Sequence, residues 1–428
     1  MFYIFRNILE ISKMHISGRF IIPFLLFVLI DIYAFQAFRG SLRSLNPDFR
    51  RFLYYGYWIL SAIAYLAATA MITGILTERQ HFLMVYGRTL LMILFTVKAL
   101  SIPFLLIDDI RRGTLAVIQY FSPANSYDPS RSRFLSTLSL AMGAIPFALL
   151  SYGAVRNPYR YKVRRHKVFI EDLHPDLEGF KIVQFSDVHS GSFVFKEPIA
   201  HGIDLINKEN GDLIVFTGDI VNTLAEEMDG MYEIFSRVGG PGNTVYSILG
   251  NHDYGNYHQW NSKAEEQKNF EEVKNIHHKL GWDLLLNEHR VLTHKAARIG
   301  LVGVENFSAL PQFPKHGDLK RAVDGMPGVD VRILLSHDPS HWDFEVIKEH
   351  KDIDLTLSGH THGFQFGVEI PGWFRWSPSR FVYKQWAGLY QKGRQYLYVN
   401  RGFGFLGYAG RVGILPEITT LVLTGKKE

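Results

Sequence analysis

Two regimes of hydrophobic patterning divide this chain near residue 155. Ahead of it lie four long apolar stretches, at 20–38 (FIIPFLLFVLIDIYAFQAF), 52–75, 89–107 and 134–154. Each approaches the ~20 residues a helix needs to cross hydrocarbon. The first is too long for the core of a signal peptide, has no clear small-residue cleavage site and is followed by three more, so all four are read as retained spans. The alternative, strongest for 52–75 with its Tyr and Gly, is a buried helix of a soluble domain. Beyond residue 155 the pattern becomes short apolar runs, each bounded by polar or glycine-containing turns. FKIVQFS, DLIVFT, VYSIL, VRILLS and DLTLS read as strands, as do RIGLVGVE, QYLYVN and EITTLVLT. Between them, EPIAHGIDLINKEN sets Ile199, Ile203 and Ile206 on one helical face, and 262–280 reads as a long polar surface helix or a cap over a site. The expected architecture is therefore an all-α bundle of four transmembrane helices over 1–155, a basic juxtamembrane connector over 156–166, and an α/β sandwich of mixed sheets with helices outside over 167–428.

Composition agrees with a membrane protein. Aromatic residues are 14% of the chain, with 32 Phe and 21 Tyr, as suits a membrane interface. The formal net charge is +5, and the excess lies near the apolar spans, as charge flanking a membrane rather than as a nucleic-acid surface. The connector RNPYRYKVRRHK fits contact with anionic headgroups or an ordinary stop-transfer flank. With four spans both ends share one side, which carries 11 Lys or Arg, among them Arg6, Lys13 and Arg79, against 8 on the other. That balance leans toward a cytoplasmic catalytic domain. Inside the spans stand Asp31 and Lys98, with Asp108 and Asp109 at one end. An intramembrane charge is a functional candidate, but the expected reading is an Asp31–Lys98 pair packing the bundle or Lys98 snorkelling to the surface, and a transport role has little support. There is no cysteine, which excludes disulfides, thiolate catalysis and Cys-type zinc sites.

Chemistry concentrates at five strand ends: Asp187-Val188-His189, Gly218-Asp219, Gly250-Asn251-His252-Asp253, His337, and Gly359-His360-Thr361-His362. A strand end is a rigid mount for a polar loop. Asp187 and His189 can bind one metal, Asp219 can bridge to a second, Asn251 offers an amide oxygen, and His337, His360 and His362 complete two shells. Such a set of carboxylate, imidazole and amide donors suits two divalent ions, Mn, Fe or Zn, which together activate a nucleophile for in-line attack on phosphorus and neutralise phosphoryl oxygens. His252, followed by Asp253, reads as an imidazole oriented by a carboxylate for proton delivery to the leaving oxygen. The other 13 of the 18 His are assigned no role. Near the end of the chain, Trp373, Trp376 and Trp386 fit either the bilayer interface or the core of a second sheet.

These motifs resemble the calcineurin-like metallophosphoesterases, whose pattern is DxH, GD, GNH(D/E), H and GHxH. FSDVHSG, SILGNHDY, LLSHDP, LSGHTHG, GLYQKG, LYVNRGFG and RVGILPEITTLVL are similar to the branch of transmembrane proteins with a metallophosphoesterase domain, which is related to phosphodiesterases resembling UDP-2,3-diacylglucosamine hydrolases. The resemblance spans about 165–428. It implies an αββα sandwich in which Asp187, His189, Asp219 and His362 hold one metal and Asp219, Asn251, His337 and His360 the other, with His252 catalytic. One departure is HTHGFQ, where HTHGGQ is more usual: Phe364 replaces a glycine beside the ligands. The expected activity is a membrane-anchored phosphodiesterase or pyrophosphatase acting on a lipid-linked phosphate. The motifs also accommodate a phosphomonoesterase, a cyclic-nucleotide phosphodiesterase or a phosphoprotein phosphatase. A metal-binding scaffold or sensor is the non-enzymatic alternative.

Overall fold

A computed structural model describes residues 18–73, 75–76, 81–121, 129–240, 242–370 and 372–426. Arg6, Lys13 and Arg79 lie outside the described residues. The chain separates into two compact units, one up to Tyr152 and one from Gly153.

The first unit contains four helices long and apolar enough to cross a membrane: α1 (Gly18–Ser41), α2 (Pro47–Ile72), α3 (His81–Phe121) and α4 (Pro129–Arg156). Asn46 starts α2 by accepting the Asp48 amide at 2.9 Å, with Pro47 pre-set for the first turn. Helix α3 has 41 residues with Pro103 inside it, about 60 Å at 1.5 Å per residue and so far longer than the apolar stretch within it. Leu29, Leu66 and Ile110 face outward, as lipid-facing side chains must when hydrocarbon replaces water. The charges face inward. Lys98 is paired with buried Asp31, and Tyr65 donates to the same carboxylate. The Tyr57 hydroxyl lies 3.0 Å from Asp31 Oδ1, and Lys98 Nζ donates to Ser61 Oγ at 3.0 Å. The expected pair is present and its polar valences are met.

The second unit is a two-sheet sandwich. One sheet runs β1 (Lys162–Phe169), β14 (Glu417–Thr424), β2 (Lys181–Phe185), β3 (Leu213–Phe216), β4 (Val245–Ser247) and β5 (Asp283–Leu284). The other runs β12 (Gly388–Lys392), β13 (Gln395–Val399), β9 (Leu355–Ser358), β8 (Val331–Leu335), β7 (Ala297–Gly303) and β6 (Glu288–His294). Ile182 and Val215 of the first sheet meet Ile299, Ile333 and Leu355 of the second in the core between them. On β8, Ile333 and Leu335 enter that core while Leu334 joins a second core with Trp342 and Val346. Burial on both faces is why these strands read as apolar runs rather than as alternation. Helix α5 (Lys196–Lys208) buries Ile199, Ile203 and Ile206. Helix α6 (Lys263–Lys279) starts at Ser262, whose hydroxyl accepts the Glu265 amide at 3.2 Å.

One expectation needs correction. From Lys162 the basic segment is not a free connector but strand β1, paired in parallel register with β14. Its arginines are used internally: Arg164 pairs with Glu369 and Glu417, and Arg165 with Glu209. The tryptophans differ in burial. Trp386 is buried with Ala387 and Ile414, while Trp373 is exposed in the turn of the hairpin β10 (Val368–Ile370) and β11 (Phe374–Trp376).

Candidate metal centre

Parallel pairing of β2, β3 and β4 brings their C-terminal loops side by side. Strands β8 and β9 do the same in the facing sheet. All the residues expected from the sequence project from those loops, and the backbone there is strained. Asp187, His189, Asp219, His360 and His362 all have positive φ, between 48° and 72°, a left-handed conformation that costs a non-glycine residue of order 1 kcal/mol or more. Neighbouring glycines permit the crowding. A Cβ on Gly359 would lie 2.2 Å from Asp187 Oδ2, and one on Gly250 would lie 2.2 Å from Asp219 Oδ1.

Two clusters of ligand atoms result, Asp187 with His189 and His362, and Asp219 with His337 and His360. In the first, His189 Nε2 and His362 Nε2 stand 3.0 Å apart, and His362 Nε2 is 3.3 Å from Asp187 Oδ1. Asp219 Oδ2 lies 3.5 Å from His189 Nε2 and 3.1 Å from His337 Nε2, so a single carboxylate oxygen faces both clusters. Asn251 Oδ1 approaches His360 Nδ1 at 2.7 Å, and its amide nitrogen donates to the Tyr257 hydroxyl at 2.8 Å.

The electrostatics favour a cation. Burial pushes His189 down to about 3 and His360 down to about 4, and it also lowers His362. These rings are neutral and offer lone pairs. Burial opposes the charge of His337, yet Asp219 outweighs it and raises the ring to about 10. Burial would likewise raise Asp219, but His337 and His252 hold its carboxyl well below the usual range. Burial pushes Asp187 up; His337 opposes this and Asp219 adds to it. Converging imidazole lone pairs and buried carboxylates, with His337 Nε2 otherwise lacking a hydrogen-bond partner, are a donor set that a divalent ion satisfies.

The second layer was not legible in the motifs. His337 Nδ1–H donates to the Thr217 carbonyl at 2.7 Å. His360 Nε2 lies 2.7 Å from the Tyr383 hydroxyl, which also reaches Asp338 Oδ2 at 3.3 Å. Buried Arg411 donates to the carbonyls of Arg401 and Gly402 at 2.8 and 3.1 Å, and its Nη2 lies 3.4 Å from His362 Nδ1. The pairing of His252 with Asp253 is corrected. His252 Nδ1–H donates instead to the Asn222 carbonyl at 2.7 Å, and its ring stacks on Tyr257. Asp253 is fully buried and accepts the amides of Gly250, Asp219, Ile220 and Val221 at 2.8 to 3.3 Å. Its carboxylate is consumed by the two ligand-bearing turns, so it positions them rather than the histidine.

A two-sheet sandwich with buried Asp and His converging at its strand ends defines the class of metal-dependent phosphoester hydrolases. Comparison with known proteins agrees. The family model for calcineurin-like phosphoesterases matches residues 180–364, and one described as the probable calcineurin-like phosphoesterase transmembrane domain matches 18–158. An uncharacterised metallophosphoesterase of Bacillus subtilis, YkuE, is 30% identical over 69% of this chain and 97% of its own length. The Danio rerio transmembrane protein with metallophosphoesterase domain is 29% identical over 67% of this chain and 62% of its own. The phosphodiesterase YaeI of Escherichia coli is 28% identical over 69% of this chain and 99% of its own. The chain belongs to the calcineurin-like metallophosphoesterase family, in a form that carries four apolar helices ahead of the catalytic domain.

Proposed function

We propose that this protein is a membrane-anchored phosphodiesterase or pyrophosphatase acting on a lipid-linked phosphate, a UDP-diacylglucosamine being one such type. The observation that carries the reading is the single Asp219 oxygen facing two buried Asp/His clusters in a chain that also holds four apolar helices. The Escherichia coli relative named a phosphodiesterase adds support.

In this reading Asp187, His189, His362 and Asp219 hold one divalent ion, and Asp219, His337, His360 and the Asn251 amide oxygen hold the other. Mixed oxygen and nitrogen donors suit Mn, Fe or Zn. When bound, the ions supply a nucleophile at neutral pH and neutralise the phosphoryl oxygens. The protein's own groups do the remainder. Asp253 ties the turn after β3 to the turn after β4 through four amides. Asn222 takes the Nδ1–H of His252, so Nε2 is the nitrogen that serves the reaction: in the doubly protonated ring Nε2–H passes its proton to the leaving oxygen and the ring is left neutral. The 11 Lys and Arg on the side shared by both chain ends, against 8 on the other, lean toward a catalytic domain on the cytoplasmic face.

The test compares bis(p-nitrophenyl) phosphate with p-nitrophenyl phosphate, with Mn²⁺, in wild type and Asn251→Ala. Preference for the diester, lost in the variant, supports the proposal. Preference for the monoester makes the protein a phosphatase. Full activity of Asn251→Ala with two bound metals refutes the assignment of the centre.

A further inference from the structure

Above the candidate centre lies a cavity of about 280 Å³ whose floor includes Asp219, Asn251, His252 and His360. Much of the remaining lining is apolar, Phe313, Phe364, Pro378, Val382 and Leu406, with Thr361, Ser379 and Tyr383 among it. Among the described residues, no lysine or arginine lines it. A site built to grip a second phosphate would place a cation there, because a further anionic group beyond the reacting phosphorus needs partners in a partly dry cavity.

The wall residues are held in place and left uncovered. Phe364 has φ 57° and ψ 11°, a left-handed conformation that glycine adopts without cost and a Cβ-bearing residue does not. The next residue secures that backbone. Gln365 donates to the carbonyls of Tyr408 and Gly410 at 2.8 and 3.1 Å and accepts the Leu406 amide at 2.6 Å. The Phe364 side chain is nevertheless 64% exposed. Opposite it, residues 378–382 are tied at both ends to the same loops: Ser377 Oγ donates to the Gly363 carbonyl at 2.7 Å, and Tyr383 reaches His360. This turn presents Phe381 and Val382, which are 78% and 60% exposed. Three large apolar side chains thus stand in solvent on braced backbone: Phe364 and Val382 line the cavity, and Phe381 precedes Val382 on the same turn. Within the protein they do not stabilise the fold by burial, and one of them adds backbone strain. Backbone strain that the surrounding structure holds in place clusters at active sites and ligand clamps.

We propose that Phe364, Phe381 and Val382 form the docking site for the alkyl chain of the substrate, and that the substrate is a simple phosphodiester whose ester group next to the reacting phosphorus is a long apolar chain. The occupant is argued from continuity: the apolar walls begin at the candidate ligands themselves, so a chain lying along them leaves its phosphate at Asp219 and Asn251. The inference rests on the phosphodiesterase half of the preceding reading and narrows it against a pyrophosphate.

The test uses the full-length protein in lipid nanodiscs with Mn²⁺ and a series of n-alkyl 4-nitrophenyl phosphodiesters from methyl to dodecyl, each kept below its micelle threshold. The readout is the dodecyl-to-methyl ratio of kcat/KM within each protein, with bound metal counted alongside. Wild type is expected to favour dodecyl by roughly 10-fold or more, since each buried methylene contributes appreciably. Phe364→Gly and Val382→Ser, on separate segments, are expected to bring the ratio toward one with both metals retained, and Phe364→Leu to keep most of it. A flat series in wild type that hydrolyses the methyl diester overturns the chain site and leaves the phosphodiesterase reading standing. An unchanged ratio in both Phe364→Gly and Val382→Ser also overturns it. Failure on every diester, with hydrolysis of the monoester, removes both.

Discussion

Replacing Tyr383 by Phe removes one oxygen atom and tests whether this protein tunes its second ligand cluster from outside. The ring packs beside Trp386, Ala387 and Ile414, and Phe keeps that packing. The hydroxyl lies 2.7 Å from His360 Nε2 and 3.3 Å from Asp338 Oδ2. Burial and the Asp338 carboxylate push the phenol well up, so it stays protonated at any working pH. It donates to Asp338 and must therefore accept from His360 Nε2–H. That fixes the tautomer and leaves Nδ1, 2.7 Å from Asn251 Oδ1, as the ring's donor to a metal. In Tyr383→Phe the buried N–H retains only Asp338 Oδ2, at 3.5 Å. A lost neutral hydrogen bond contributes about 1 kcal/mol, and a half-satisfied buried donor costs about 1–3 kcal/mol. At ~1.4 kcal/mol per decade, Mn²⁺ at the second cluster should bind ~10–100-fold more weakly. The first cluster does not touch Tyr383 and should keep its affinity. Metal titration should therefore show one unchanged and one weakened equivalent, and the Mn²⁺ concentration for half-activation should rise in step while turnover recovers at saturating metal. An activation constant within about two-fold of wild type would show that Tyr383 does not orient His360, and the tautomer argument would fail with it.

Two further perturbations probe the scaffold. Burial works against the Glu417 charge, but Arg401 and Arg164 hold its carboxyl below the usual range; a lowered folded value stabilises above the unfolded pKa of ~4.3 and is lost as pH falls through the folded one. Glu417→Gln should therefore unfold at lower temperature at pH 7, by about 3–5 kcal/mol for a broken buried pair, and melting curves of the two proteins should converge at acid pH; parallel curves at every pH would deny the ion pair its role. In the bundle, Asp31→Asn leaves Lys98 facing no carboxylate among the buried contacts described, which costs about 3–5 kcal/mol, whereas Asp31→Asn with Lys98→Met removes both charges and should recover part of it. Thermal unfolding in detergent compares them, and equal losses in the single and double variants would show that the charge pair is not what holds these helices.

What the sequence made legible follows from where each interaction lies along the chain. Strands buried on both faces write themselves as apolar runs, so β2, β3, β8 and β9 were visible, and the residue just past each run was visible as a ligand because Asp and His rarely follow such a run without a partner. The left-handed turns that bring those ligands together left a trace only in the glycines at 218, 250 and 359. Strand β1 was hidden because its charges are neutralised by Glu369, Glu417 and Glu209, residues 44 to 253 positions away, so locally it carries the composition of a membrane flank. The partner of His252 was misplaced for a related reason. Adjacency suggested Asp253, but a carboxylate one residue along a tight turn faces the backbone of that turn, and the distant Asn222 carbonyl takes the ring instead. Tyr383 and Arg411 act on the ligands from loops that carry no motif, and only folding reveals them. Phe364 is the reverse case: it was visible as a departure from a glycine pattern, yet its meaning depends on the exposure and braced backbone that surround it. A local rule broken at the rim of the candidate cavity, and held there by the hydrogen bonds of Gln365, is the kind of departure from foldability that a functional site carries.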